Sequence, residues 1–289
     1  IVFGDWSSDV CSSDLMPSIR PGRLPRLSRR PALRRDAVFS YSLAMYPRIH
    51  FEALDAESSG AALASEAEAA DGPFFASLAR PTTVYILRHG QSEGNATMTF
   101  QGRLDYPLDA IGLRQAHAAA RWFEDKRLDA VLSSPMSRAA ATASLIAGTC
   151  GLEVQTLDAL AEVDVGFFSG MSVERAEAEH PDIYRRFSYS SWDAVPGAEH
   201  SSRMYFRAMR SWERIRELAM GGARNILCVS HGGLIQFLIR ATFGAKTWLP
   251  LYPVGNCGIS RFDIEPTGEG LPAFTQWRTI NFQTGKEIS

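Results

Sequence analysis

The chain has 289 residues, 45% of them hydrophobic and 21% charged, with a formal net charge of −2. These values are ordinary for a globular protein long enough to bury a sizeable core. No apolar run approaches the roughly 20 residues a membrane-spanning helix needs, and the acidic balance argues against a broad nucleic-acid surface.

The charge is uneven along the chain. Residues 1–45 hold seven arginines against four acids, a net of +3, so the remaining 244 residues carry a net of −5. Residues 5–15, DWSSDVCSSDL, back-translate without a mismatch to a common sequencing-library adapter, so 1–15 are expected to be an assembly artefact. Residues 16–35 are rich in Arg and Pro and contain no acid, but Pro17, Pro21, Pro25 and Pro31 would break an amphipathic leader helix. Disorder, or translation upstream of the real start, is the expected reading, with Met16 and Met45 both candidate initiators. Residues 52–70 are rich in Ala and Glu and suit a short helix or a solvated linker. The extension is therefore drawn as 16–80, the folded body as 81–284 and a short tail as 285–289.

The body alternates strand-like and helix-like segments. Residues 84–87 form an apolar run bounded by Pro81 and Gly90, a candidate buried strand that delivers Arg88 and His89 to its carboxyl end. Open α/β sheets place their ligands at that edge. Asp109 can cap a helix running to about Lys126, with Leu113, Ala116, Ala120 and Phe123 on one face. A second strand is expected over Ala130–Ser133, a helix from near Ser137 and a weaker strand over 153–156. Helices follow around 172–187 and 201–220, then a strand over 225–229, a helix over 234–243, and closing strands over 258–264 and 274–282. This alternation predicts an α/β protein, a three-layer α/β/α sandwich with a mostly parallel central sheet.

Cys11, Cys150, Cys228 and Cys257 show no CxxC pair and no ligand spacing with histidine, so no metal site is expected from them. Cys228 lies in the apolar run before His231 and reads as a buried free thiol. A reducing, cytoplasmic location fits this usage.

Four places on the chain supply chemistry suited to a phosphoryl group. Transfer to a protein nucleophile needs the nucleophile, cations around the equatorial oxygens and an acid for the leaving oxygen. His89 can attack phosphorus when neutral, and the adjacent Arg88 both binds an oxyanion and favours that form. Arg138, in Ser133-Ser134-Pro135-Met136-Ser137-Arg138, follows a strand into a helix start, where backbone amides also favour anions. His231, in Val229-Ser230-His231-Gly232-Gly233, enters from another strand and can donate to a phosphoryl oxygen. Glu162 is the candidate acid, in a loop with apolar Val163, Val165, Phe167 and Phe168, and Asp164 on the same loop could share or take the role. His117 reads as packing or surface, and His180 and His200 as loop residues. Glu199 reads either as near a pocket mouth or as a solvated loop acid. Trp192, Phe167 and Phe168 suit a leaving-group pocket or ordinary core packing.

Taken together, these segments resemble the histidine phosphatase superfamily, also called the phosphoglycerate mutase-like family, over about residues 82–281. Arg88-His89-Gly90 is similar to its hallmark and continues through Gln91-Ser92-Glu93-Gly94 to Asn95, which matches a family phosphate ligand. Gln101-Gly102 and Asp105-Tyr106-Pro107-Leu108 resemble the next segment, with Gln101 a binding candidate. Ser133-Ser134 through Arg138 and Thr142 resembles the segment carrying the second arginine. Glu162 with Gly166 and Gly170 resembles the acid/base loop, and Ser230-His231-Gly232-Gly233 the second histidine.

The resemblance implies a phosphoglycerate mutase-like fold for 81–284 and a phosphatase that needs no metal or cofactor. His89 would take the phosphoryl group from a small phosphorylated metabolite, and Glu162 would protonate the leaving alcohol and then help water hydrolyse the intermediate. Arg88, Arg138, His231 and Asn95 would cradle the oxygens, with Gln101 as a further contact. Ser169 departs from the family pattern, which often has an acid or glutamine there, and bears on leaving-group recognition. A mutase remains a second reading and a non-catalytic phosphate-binding relative a third, which the intact catalytic set disfavours. Glu162 and His231 are 69 residues apart, a short interval that resembles the phosphatase branch, since mutases typically carry a longer insertion there. That interval nevertheless holds Arg175, Arg185, Arg186, Arg203, Arg207, Arg210, Arg214 and Arg216, so charge for a second anionic group is available.

Overall fold

The computed structural model describes residues 68–284. The expected artefact 1–15, residues 16–67 of the expected extension and the tail 285–289 lie outside these described residues. Six strands make one sheet: β1 (Thr82–Arg88), β2 (Ala130–Ser133), β3 (Val154–Thr156), β4 (Asn225–Ser230), β5 (Gly258–Glu265) and β6 (Phe274–Gln283). Their order is β3-β2-β4-β1-β5-β6. The first four in that order are mutually parallel, whereas β5 runs antiparallel to β1, and β6 to β5. The reversal has a local cause. The Cys257 N–H reaches the carbonyls of Arg88 and His89 at 3.1 and 3.3 Å, so β5 begins beside the carboxyl end of β1 and can only run back.

The helices are α1 (Glu93–Ala96), α2 (Ala110–Phe123), α3 (Ser137–Cys150), α4 (Val173–Glu179), α5 (Pro181–Ser190), α6 (Ser201–Met220) and α7 (Gly232–Ala241). The two-residue period of the strands sorts them into two layers. Tyr85 and Leu87 of β1 face Ala120 and Phe123 of α2 and Ala143 and Ile146 of α3, with Val131, Leu227 and Val229 from neighbouring strands. Val84 and Ile86 face the other way, with Ile226 and Cys228, toward Trp212 of α6 and Leu238 of α7. Both faces of the sheet are covered, the expected three-layer sandwich.

Three expectations change. The folded body starts before residue 81: a 3₁₀ turn over Pro73–Phe75 buries Phe74 and Phe75, and Leu78 follows them into the core. Burying two aromatic rings contributes on the order of 1.5–3 kcal/mol each, enough to fix this segment. The helix expected over 172–187 is two helices, because Pro181 ends one at His180 and opens the next. On α2 the inward face is Gly112, Ala116, Ala119, Ala120 and Phe123, while Leu113 is 44% exposed. The Asp109 cap is present, its side chain accepting the Gly112 N–H at 2.7 Å.

Candidate active site

β1 ends at Arg88, and the next residue, His89, is held at the sheet edge by its N–H donating to the Ser230 carbonyl at 3.0 Å. The His89 ring is 2% exposed and its Nδ1 lies 2.6 Å from the Gly90 carbonyl oxygen. A carbonyl only accepts, so Nδ1 carries the proton and Nε2 is left with its lone pair. Burial, then the charges of Arg138 and Arg88, hold the imidazole well below its ordinary pKa and keep it neutral. Gly90 has to be glycine, since a Cβ there would lie 2.5 Å from the Gly112 carbonyl at the start of α2. Its N–H donates to Thr142 Oγ1 at 3.1 Å. Arg88 is anchored by Nη1 on the Val254 carbonyl at 2.7 Å.

Arg138 stands in the first turn of α3. Met136, the residue before the helix, offers no side-chain cap, and Asp105 replaces it by accepting the Ser137 N–H at 2.8 Å and its hydroxyl at 2.9 Å. The arginine is 1% exposed and donates through Nη1 to Leu104 O at 2.9 Å and through Nη2 to Gly102 O at 3.1 Å. Burial lowers its pKa to about 10, which leaves it cationic at neutral pH. Its buried Nε has no hydrogen-bond partner in the protein.

His231 precedes α7 directly and is fully buried, its ring 5.0 Å from that of His89. Ser134 Oγ accepts the Met136 N–H at 3.3 Å and lies 2.7 Å from His231 Nε2. The hydroxyl keeps its own proton to donate to Nε2, and in that arrangement the imidazole proton sits on Nδ1. Burial, then Arg138, His89 and Arg88, keep this ring neutral too. Its Nδ1 has no protein partner, and a buried donor of that kind suits an oxyanion acceptor.

The helix expected over 234–243 begins two residues earlier, and the shift matters. Glu162 takes over the capping of α7: Oε1 accepts the Val163 and Leu234 N–H groups at 2.9 and 3.2 Å, and Oε2 accepts that of Gly233 at 3.2 Å. A Cβ on Gly233 would sit 2.5 Å from Glu162 Oε1, so that glycine makes room for the carboxylate. The surroundings of Glu162 are thus apolar on the side of Val163 and Val165 and polar on the side of the helix amides. Asp164, the other candidate on this loop, does not line the pocket, and its side chain accepts the Gly166 N–H at 3.0 Å.

A buried ion pair holds this loop in place, and it was not predicted. Arg207 of α6 donates to the carbonyls of Ala159, Ala161 and Glu162 at 3.0, 2.6 and 3.3 Å. It also grips both oxygens of Glu199 at 2.7 Å. Glu199 in turn accepts from Arg103 at 3.2 Å and from the Asp164 N–H at 3.3 Å. Burial alone would raise the Glu199 carboxyl, yet Arg207 and then Arg103 bring it down to about 2. Glu199 is therefore neither a pocket-mouth residue nor a solvated acid, but the link between the acid loop and the loop that carries Gln101 and Arg103.

Arg88, His89, Asn95, Gln101, Arg138 and Glu162 line one pocket, with His231 buried beside it. Asn95 Oδ1 accepts from the Ser92 N–H and hydroxyl at 3.2 and 2.9 Å and from Asn256 at 3.1 Å, which leaves the amide Nδ2 as the group available to a ligand. Gln101 Oε1 lies 2.8 Å from Ser92 Oγ and shares that single hydroxyl proton with Asn95 Oδ1. The far wall consists of Met98, Phe100, Val163, Val165, Val173 and Trp192. Of the three aromatics expected there, Trp192 arrives; Phe168 stacks beneath Phe100 with centroids 5.2 Å apart, and Phe167 packs on His180. Ser169 is not part of the lining. His117 is exposed on α2, and His200 caps α6 by accepting the Ser202 N–H at 3.2 Å. Among the described residues no group of three or more His, Cys, Asp or Glu is placed to hold a metal ion, and no helix is long and apolar enough to cross a membrane.

The profile of the family described as "Histidine phosphatase superfamily (branch 1)" matches residues 84–276. "Phosphoglycerate mutase-like protein 4" of Arabidopsis thaliana is 35% identical over 159 residues, covering 54% of this chain and 68% of its own. "Probable phosphoglycerate mutase GpmB" of Escherichia coli O1:K1 / APEC is 29% identical over 184 residues, covering 63% and 85%. Among solved structures, a mycobacterial glucosyl-3-phosphoglycerate phosphatase in complex with VO3 is 28% identical with a TM-score of 0.61, covering 70% of this chain and 99% of that one. The chain belongs to the histidine phosphatase superfamily, branch 1.

Proposed function

We propose that this protein is a phosphatase for a small phosphomonoester, working through a covalent phosphohistidine on His89 with Glu162 as general acid and base. The observation that carries this reading is the 2.6 Å contact of His89 Nδ1 with the Gly90 carbonyl, which reserves Nε2 for phosphorus in a pocket shared with two arginines and one carboxyl group. Nε2 attacks phosphorus, the bond to the ester oxygen breaks, and Glu162 protonates the departing oxygen. A water then gives its proton to Glu162 and attacks the same phosphorus. The P–N bond breaks, releasing orthophosphate and neutral His89. Arg88 and Arg138 neutralise the equatorial oxygens throughout, with Asn95, Gln101 and the His231 Nδ1–H as further donors. Two buried cations supply the charge that a metal ion supplies in other phosphoryl-transfer sites, so activity should not depend on added metal. The VO3 in the similar mycobacterial phosphatase supports an oxyanion ligand, and the free thiols Cys150, Cys228 and Cys257 support a cytoplasmic location.

The full chain should hydrolyse a generic aryl phosphate in the presence of a chelator, and His89→Ala should abolish turnover. Survival of activity in that variant, or its loss with the chelator, would sink the mechanism. The names of two relatives favour a second reading, in which the phosphoryl group returns to another hydroxyl. Assaying phosphorylated metabolites for both free phosphate and positional isomers separates the two.

A further inference from the structure

The phosphatase reading says nothing of which alcohol leaves, and the far wall of the pocket bears on that. Among the described residues that line the pocket, the only permanent cations are Arg88 and Arg138, both on the floor with His89, and the only acid is Glu162. The described residues facing the ester's other end are uncharged. None of the nine arginines between Glu162 and His231 lines the pocket. Arg207 is taken up by Glu199, Arg175 by Glu179, Arg210 by Glu213 and Arg214 by Glu217.

The wall is also fixed in shape. Segment 98–100 is laced to segment 171–173 by the Val173 N–H on Met98 O at 3.0 Å and the Phe100 N–H on Met171 O at 2.9 Å. Phe100 stands in an aromatic cluster, edge-on to Trp192 at 5.4 Å and to Phe187 at 5.6 Å, and stacked on Phe168. Met98 closes the rim at φ 51°, a left-handed conformation that non-glycine residues rarely adopt, with its side chain 52% exposed. A carboxylate or second phosphate laid along this wall would lose water and meet no cation among the described lining residues. A flat or branched apolar group would find a rigid aromatic face and an adaptable thioether.

We propose that the leaving alcohol is uncharged and carries an aryl or hydrophobic alkyl group seated between Met98 and the Phe100–Trp192 wall. This rests on the phosphatase reading and goes beyond it, because it places anionic phosphoglycerate-type esters among the poor substrates.

The test is a matched pair, n-hexyl phosphate against the phosphate ester of 6-hydroxyhexanoate, whose leaving alkoxides are nearly equal in basicity and differ in a distant carboxylate. The full chain should favour the hexyl ester in kcat/KM by at least about tenfold, as expected for an uncompensated charge in an apolar pocket. Met98→Lys, a change at an exposed rim residue, should narrow that ratio at least about threefold by giving the carboxylate a partner. A preference below tenfold in the natural chain, or an unchanged ratio in Met98→Lys, overturns the inference while the phosphatase reading stands. Failure to hydrolyse either ester or any aryl phosphate overturns both.

Discussion

The floor and the far wall of the pocket are built on opposite principles. The floor gathers Arg88, His89, Arg138 and His231 at the carboxyl ends of three parallel strands and the start of a helix, all of them buried and each tied to the backbone or to a neighbouring side chain. The wall gathers Met98 and Phe100 from one loop, Val173 from the start of α4 and Trp192 from a 3₁₀ turn, none of them ionisable and one of them half-exposed. On the proposed reading, the floor holds what all substrates of the site would share, the phosphoryl group, and the wall acts on what would distinguish them. Substitutions should therefore divide into those that lower every reaction alike and those that reorder substrates.

The largest effect is expected on the floor. Arg138→Met should lower kcat/KM roughly 10³-fold on aryl and alkyl esters alike, because a preorganised cation is lost from a low-dielectric site. A selective loss on one ester class would break the comparison.

Glu162 and its support lie between floor and wall, and the leaving group reveals them. Glu162→Gln should cost roughly 10²-fold on alkyl esters, whose alkoxides need the proton, and far less on aryl esters with a good leaving group. Arg207→Met should show the same dependence on leaving group more weakly, with kcat lowered and KM little changed, since it touches the Glu162 loop and no substrate. The variant also leaves Glu199 buried without its bidentate partner, at a cost of about 3–5 kcal/mol in stability. Replacing both members, Arg207→Met with Glu199→Leu, should restore much of the melting temperature without restoring the alkyl-ester rate. Recovery of both would make Arg207 a purely structural residue.

The smallest effect belongs to the wall: Met98→Ala should lower kcat/KM for n-hexyl phosphate a few-fold and leave inhibition by orthovanadate unchanged. The same division should show in pH dependence. His89 and His231 have folded pKa values below the ordinary 6.5, so below that pH the unfolded chain takes up protons that the folded one refuses. Stability contributed by these rings is complete above about pH 6.5 and falls as pH drops, by about 1.4 kcal/mol per pH unit for each withheld proton. Glu199, at about 2 against an ordinary 4.5, adds a second loss between those values. Thermal melts from pH 7 to 4 should therefore fall steeply, and Met98→Ala should shift the curve without changing its slope.

The floor was legible in the sequence because its chemistry demands particular residue types at strand ends, and Arg88-His89-Gly90, Arg138 and His231 each announce themselves beside an apolar run. The start of α7 was misread because Gly232-Gly233 resembles a loop, whereas Gly233 is there to admit the Glu162 carboxylate. Of the wall only Trp192 was read as a pocket candidate, because Met98, Phe100 and Val173 are residues any core could use, and only folding brings segments 98–100 and 171–173 together. The Arg207–Glu199 pair escaped for a related reason. Its arginine reads backbone carbonyls of the acid loop, contacts that leave no mark in the residues contacted. Phe74 and Phe75 were passed over because the stretch before them has the composition of a linker.

The central claim is that His89 Nε2 becomes covalently phosphorylated. Rapid quenching of the full chain during turnover of a radiolabelled aryl phosphate, followed by peptide mapping, tests it most directly. The account predicts label on the peptide containing His89, stable in alkali and labile in acid, and absent in His89→Ala. Turnover with no protein-bound label, or label on any residue other than His89, would contradict it.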